Sequence, residues 1–459
     1  VLALKAAIAH LRNPNAVIVY TFYTKSLYQY IQRLITRFYR QYDDKDPDWG
    51  KLKILHAWGG ISNPGIYYEA CERHQSYYYN FELAAQNDRS YPFNFACAEL
   101  LKSELTPMYD YIFIDEGQDF PISFLKLCLR LADKGKIVWA YDELQTIFQT
   151  KTPDISEVLD KSEYKGLEED IILYKCYRNP REILIAAHAI GFGLYGKRIV
   201  QMIENKEYWQ DIGYKVIEGE FKEGQRIVIE RPQENSLETI SKFFKKNEIV
   251  KFHVSDSVIE EVQQTVRNIE DDLEQGLLPD DILVIVLDDR NAKDYLSGIQ
   301  KILASKNIKS NNIHSDKFNL KDFSLPNHVT LSTVHKAKGN ENYSVHIMGI
   351  DALYALDPTI RQRNLMFTAM TRAKGWISLT GTGRNANLWC KEIITALSKF
   401  PNLEFTFPSS HELKIMKRDI KENAVRKSRQ AKMLDDLLTE MSPEEIKQFL
   451  VQREVKKKK

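Results

Sequence analysis

Residues 111–120, reading YIFIDEGQDF, constrain this chain more than any other stretch. Four apolar or β-prone residues lead directly into Asp115-Glu116, and Gln118 and Asp119 follow. A short continuous apolar run is the pattern of a strand buried on both faces, as in a parallel sheet. Ligands of open α/β sheets collect beyond the carboxyl ends of such strands. Adjacent acids there meet two needs of phosphate chemistry: one carboxylate near Mg²⁺, and a second to orient or deprotonate water. The bland reading is a solvated turn after a strand, and the appended Gln118-Asp119 weighs against it.

Strands and helices alternate around this run. Residues 16–21 (AVIVYT) predict a parallel core strand, 24–40 a helix, and 43–64 an interruption rich in Asp, Pro and Gly. Residues 65–105 are aromatic-rich and read as mostly helical. A strand over 111–115, a helix over 121–133 and a strand over 136–141 (KIVWAY) come next. A polar linker is expected over 154–172, a helix over 181–191 closed by Gly191 and Gly193, and short strands with charged turns over 196–252. A second alternating unit follows: strand 282–287 (ILVIVL), helix 292–306, strands 329–332 and 343–350, helix 365–373 and closing strand 376–380. This alternation predicts an α/β fold with two lobes, each with a parallel sheet. The expected division is a first lobe over 1–165 with an insertion at about 43–108, a second over 166–405 with a small insertion at about 196–252, and a charged helical tail over 406–459. From His411 that tail holds 14 Lys/Arg against 9 Asp/Glu, and Ser442-Pro443-Glu444-Glu445 reads as a capping box. A solvated tail is the ordinary reading; a phosphate-backbone or partner contact is the other.

A chain of 459 residues exceeds one compact core. Its net charge of +1 gives no global field for nucleic acid, so any basic surface must be local. The five cysteines form no CxxC pair, which points away from a zinc site or disulfide framework and toward a cytoplasmic setting. No apolar run reaches the ~18 to 20 residues that span a membrane. The first residues, VLALKAAIAH, are helical in composition without a start methionine or an N-cap. They read as a helix whose beginning lies upstream.

Four further constellations carry chemistry. Residues 139–148 (WAYDELQTIF) end a strand and then place Asp142 and Gln145, whose amide can sense a γ-phosphate. Arg178 precedes a helix in CYRNP, and Arg372 lies in FTAMTRAK. An arginine supplied by a neighbouring lobe stabilises charge on a transferring phosphoryl group, although a lone Arg is usually a surface ion pair. Residues 332–341 (STVHKAKGNE) follow a strand and combine a hydroxyl, an imidazole, two ammonium groups and a Gly turn.

Taken in order, these elements resemble the motifs of superfamily 1 helicases of the UvrD/Rep type. FIDEGQDF resembles that family's Walker B motif (DExxQD), and AYDELQTIF its third motif (GDxxQSIY), with Tyr141 where Gly is usual. YRNP resembles the fourth motif. Thr333, His335, Lys338, Gly339 and Glu341 match the fifth (THxxKGxE), and TAMTRAK the sixth. Upstream, YTFYTK resembles TFTNKAA and LHAW, more loosely, TFHS. The resemblance covers roughly residues 1–380.

It implies two RecA-like P-loop NTPase lobes that close on ATP and Mg²⁺. Asp115 would coordinate the metal and Glu116 activate water. Gln145 would sense the γ-phosphate, and Arg178 and Arg372 would be arginine fingers. Gln118, Asp142 and Gly339 would belong to the nucleotide site, with Glu341 on the ribose. Thr21, Phe22, His56, Trp58 and His335 would line a single-strand path, where stacking is worth ~1 to 3 kcal/mol per base. The implied activity is ATP-dependent translocation or unwinding on single-stranded nucleic acid, 3′ to 5′ on DNA. The first rival is an ATPase triggered by nucleic acid that signals to a nuclease, repair or defence partner without unwinding. The second is a non-catalytic DNA-binding module.

Two departures matter. No GxxxxGK[ST] occurs anywhere in the chain, and the lysine and amides of that loop grip the triphosphate. Residues 2–10 resemble the helix that follows the loop, so the chain is expected to be a fragment beginning just after it, and inactive alone. Second, about 155 residues separate Arg178 from His335, too few for a large accessory domain. The aromatic stretch at 67–68 and 77–81 could stack bases or fill the core of the first-lobe insertion, the latter being preferred.

Overall fold

The computed structural model describes residues 1–147, 158, 171–237, 240–314, 322–354, 357–409 and 414–416. The expected linker over 154–172 and the capping box at 442–445 lie outside or almost outside them.

Four parallel strands build the first sheet: β1 (Ile18–Phe22), β2 (Leu52–His56), β3 (Tyr111–Ile114) and β4 (Ile137–Trp139), in the order β2-β1-β3-β4. Ile18 is in register with Leu52 on one side and Tyr111 on the other. All five residues of β1 are buried, because helices cover both of its faces. Helices Leu2–Arg12 and Tyr28–Tyr39 pack on the face holding Ile18, Tyr20, Phe22 and Phe113. Helices Ile66–Arg73, Pro92–Leu100 and Ile122–Leu131 pack on the face holding Val19, Ile112 and Ile114. Strand β2 falls where the sequence predicts an interruption. Lys51 just before it and Lys53 within it disguise it, and Lys53 pairs with Glu69 at 3.0 Å.

Beyond the first sheet, β5 (Cys176–Pro180) leads into helix Arg181–Phe192, which ends on Gly193 at φ +79°. Strand β6 (Gln201–Ile203) precedes an antiparallel layer of β7 (Lys215–Glu218), β8 (Arg226–Glu230) and β16 (Asn402–Thr406), while β9 (Ser236–Leu237) pairs with β5.

The second large sheet has six parallel strands: β10 (Val250–Ser255), β11 (Ile282–Val286), β12 (Ser310–Asn312), β13 (Val329–Thr333), β14 (Asn342–Met348) and β15 (Ala373–Thr382). Their order is β10-β15-β14-β11-β13-β12. All five residues of β11 are fully buried. At ~1.5 to 3 kcal/mol per apolar side chain, that strand contributes on the order of 10 kcal/mol of burial, as an upper bound. The fold is therefore α/β with two parallel sheets.

Among the described residues, two long helices escape the sequence reading. Val258–Glu274 starts at an N-cap Ser257 whose hydroxyl accepts from the Glu260 amide. Its buried face includes Glu261 and Thr265 beside Val262, Val266 and Ile269, which breaks the apolar pattern. Glu261 is satisfied by Tyr295, Thr380 and the Gly349 amide, groups distant in sequence. Gly383–Ser398 similarly buries Glu392, which pairs with the fully buried Arg363 at 2.9 Å. The expectation of a helical tail is corrected at its start: Lys414–Met416 form β17, paired in parallel with β6.

Candidate functional site

The acids of the first sheet emerge where it ends. Asp115 and Glu116 follow β3, and Glu116 sits at φ 54°, ψ 47°, a left-handed conformation that is uncommon and costly for a residue with a side chain. The turn is held by Gly117, whose amide donates to the Ala140 carbonyl at 2.7 Å. Gln118 is fully buried and works in two directions. Its Nε2 donates to Glu116 Oε2 at 2.6 Å, and its Oε1 accepts from the Asp142 amide at 3.0 Å. One glutamine thus ties the β3 turn to the β4 turn.

Side chains from beyond β5 enter this acid cluster. Lys338, in the turn after β13, is completely buried. Its Nζ donates to Asp119 Oδ1 and to the Gln145 carbonyl, each at 2.6 Å, and lies 3.6 Å from Glu116 Oε2. Arg372 is 1% exposed, and its Nη2 donates to Gln145 Oε1 at 2.6 Å. The Gln145 amide nitrogen in turn donates to Asp142 Oδ2 at 2.7 Å. Arg178 and Lys374 both pair with Glu341, at 2.6 and 3.0 Å, and the Tyr30 hydroxyl donates to the same carboxylate at 3.1 Å. The Arg178 contact is a close approach of charges rather than an aligned hydrogen bond. Asn179 sets the spacing of the two arginines: its Nδ2 donates to the carbonyls of Thr371 and Ala373, clamping β5 against the Arg372 turn. Gly339, at φ +80°, lets the turn pass over Leu27, whose side chain would stand 2.5 Å from a Cβ.

The electrostatics follow from this packing. Burial, and then Glu116, push the Asp115 carboxyl up to about 6. Burial, against the pull of Lys338, pushes Asp119 up to about 7. Burial would also raise Glu116, but Lys338 and Arg372 outweigh it and hold that carboxyl below its ordinary value. Burial and the neighbouring Arg178 bring Arg372 down to about 10. Neighbouring carboxylates with opposed shifts mark candidate chemistry.

Asp115, Glu116, Gln118, Asp142, Gln145, Arg178, Arg372, Gly339 and Glu341 therefore lie in or beside one largely buried polar cluster. The residues expected along a strand path do not assemble as well. Thr21 and Phe22 are fully buried, since β1 is a central strand covered on both faces, and Phe22 packs edge-to-face on Tyr28. They present no surface in this structure. His56 is engaged within its own lobe: Nε2 meets the Tyr23 carbonyl at 2.7 Å, and Nδ1 accepts from the Trp58 amide at 3.1 Å. Trp58 stacks on Phe93 at 4.8 Å, with Phe81, 65% exposed, 6.0 Å away. His335 is half-buried and lies 3.2 Å from Asp289. Tyr67, Tyr78 and Tyr79 pack with Trp58 and Phe93, whereas Tyr77 and Phe81 are each 65% exposed, so that stretch is divided between core and surface. Lys338, Asp119, Asn179, Tyr20 and Tyr30 received no role from sequence. All but Tyr30 nevertheless lie within the motif stretches quoted above.

Among the described residues no group of three acids, histidines or cysteines converges to hold a metal by itself. Mg²⁺ is ordinarily held by one or two carboxylates together with substrate phosphates, and buried Asp115 beside Glu116 fits that donor set. Among the described residues no helix is long and apolar enough to cross a membrane.

Residues 328–380 match the family described as UvrD-like helicase C-terminal domain. That segment carries β13, the Lys338 turn, β14 and Arg372. No curated protein matches the chain significantly. Among solved structures, the C-terminal domain of a possible DNA helicase from Lactobacillus plantarum WCFS1 is similar at 17% identity, covering 33% of this chain and 83% of that one. Its TM-score of 0.26 is too low to bear on the fold. Residues 328–380 of the chain are thus similar to a UvrD-like helicase C-terminal domain.

Proposed function

We propose that this chain forms the nucleotide cleft of an ATP-dependent motor on single-stranded nucleic acid, moving 3′ to 5′ on DNA. The observation that carries this reading is the joining of Asp119, Gln145 and Glu116 to Lys338 and Arg372, across two sheets, in one buried network. A cleft wired in this way can couple a charge change at its centre to movement of the lobes.

Asp115 would hold Mg²⁺, which when bound neutralises phosphate charge and aligns the γ-phosphoryl group. Glu116 is ionised at neutral pH, and with Oε2 taken by Gln118 it keeps Oε1 for the proton of an attacking water. Arg372 and Gln145, bonded to each other here and through Gln145 to Asp142, would turn donors toward a γ-phosphate. Arg178 is tied to Glu341, so it reaches a phosphate only after that pair opens. Glu341, once released, would accept from a ribose hydroxyl. His335, and Trp58 with the exposed Phe81, remain the residues available to a strand. The absence of GxxxxGK[ST] from these 459 residues means that the triphosphate grip described above is not supplied by a motif of this chain.

The test is ATP hydrolysis with and without single-stranded DNA, on this chain and on any longer product that contains it. Glu116→Gln should abolish turnover and preserve nucleotide binding. Undiminished turnover in that variant would remove Glu116 as the base. Strand-displacement assays then separate an unwinding motor from an ATPase that signals to a nuclease or defence partner.

A further inference from the structure

Strand β1 places an unusual group at the acid cluster. Tyr20 is 1% exposed, and its hydroxyl donates to Asp115 Oδ2 at 2.7 Å. Sheet geometry explains the reach. Tyr20 is in register with Phe113 on β3. Asp115 lies two residues further along and so on the same face, about 7 Å away. A tyrosine leaning along its strand spans that distance, whereas a leucine or valine would bury as well and stop short. The other oxygen, Oδ1, accepts from the Glu116 amide at 3.1 Å. Each oxygen of Asp115 thus has one protein donor, and each keeps a lone pair. The phenol is packed beneath helices Leu2–Arg12 and Tyr28–Tyr39, which shields this hydrogen bond from water.

We propose that Tyr20 is a positioning residue for divalent-cation binding: its hydroxyl clamps Asp115 Oδ2 and holds the carboxylate in the one orientation that presents a lone pair to the metal. The inference rests on the reading of Asp115 as metal ligand. Its physical basis is general. Outer groups that hydrogen-bond a ligating carboxylate fix its geometry, and their loss typically lowers metal affinity 10- to 100-fold. The surroundings supply no substitute. Thr21 Oγ1, next along β1, is buried without a partner, and so is Asp119 Oδ2. Neither stands as a donor to Asp115.

The test is a Mn²⁺ titration of this chain, followed through the electron paramagnetic resonance of the free ion. Asp115→Asn should remove the tightest site. Tyr20→Phe, which keeps the ring and its packing, should weaken that site about tenfold. Tyr20→3-fluorotyrosine keeps the hydroxyl and should bind as the unmodified chain does. A thermal melt alongside reports packing, which a purely structural tyrosine would change without moving the Mn²⁺ affinity. An affinity for Tyr20→Phe within twofold of the parent, or tighter, overturns the inference while leaving Asp115 in place. Mn²⁺ binding insensitive to Asp115→Asn overturns the metal assignment itself, and this inference with it.

Discussion

Lys338→Met tests how strongly the two sheets are bound to one another. The substitution keeps most of the side-chain volume and removes the charge. Lys338 makes two 2.6 Å hydrogen bonds, to a carboxylate that is 1% exposed and to the Gln145 carbonyl. Removing one partner of a buried pair leaves the other charge uncompensated, at a cost of about 3 to 5 kcal/mol. The second lost bond lies within that range rather than adding to it, because both end at the same ammonium. The site is internal to a chain with two sheets, so a single global unfolding energy is not well defined. Local opening is the better observable, read by native-state hydrogen exchange. At ~1.4 kcal/mol per factor of ten, protection of the amides around Asp119, Gln145 and Lys338 should fall by roughly two to three orders of magnitude. Asp119→Leu in the same chain should restore part of it, since the stranded carboxylate is then gone. The defect of the single variant should also ease as the pH falls and Asp119 takes up a proton. A loss below tenfold, or strictly additive effects in the double variant, would refute the view that this ion pair holds the cleft closed.

Gly339→Ala combines a left-handed backbone position with a Cβ placed 2.5 Å from Leu27. It should loosen the same turn by about 1 to 2 kcal/mol from the backbone alone, and Leu27→Ala should recover the steric part but not the backbone part; equal exchange rates in parent and variant would contradict this. His188, deep in the core against Tyr214, is held down to about 3 by burial and by Arg231. The unfolded chain protonates this histidine below its ordinary value near 6.5 while the folded chain does not, so stability should fall as the pH drops from about 6.5 toward 3. The slope from this group is at most ~1.4 kcal/mol per pH unit, and His188→Gln should remove it; an unchanged acid dependence in denaturant melts would exclude the assignment.

The sequence by itself determined the strands whose burial is complete and the chemistry placed at their ends. Residues 18–22, 111–114 and 282–286 are continuous apolar or β-branched runs, and 329–333 is one but for Ser332, the composition that suits a strand covered on both faces. The order of acids, glutamines and arginines along the chain was legible for the same reason, since most of them lie in or beside the end of a strand. What the tertiary structure alone decided is where elements are half-buried or satisfied from afar. Strand β2 hid behind Lys53, whose partner Glu69 stands on a helix. The helix Val258–Glu274 hid behind Glu261 and Thr265, whose polar atoms are satisfied by residues 34 to 119 positions away. Phe22 and Thr21 turned inward because two helix layers close over β1. Lys338 could equally have been a solvated surface charge. Only the approach of the second sheet to the first made it the buried counter-ion of Asp119. Local pattern reports whether a residue suits a strand or a helix; the free energy of a buried polar group depends on its partner, and the partner is chosen by the fold.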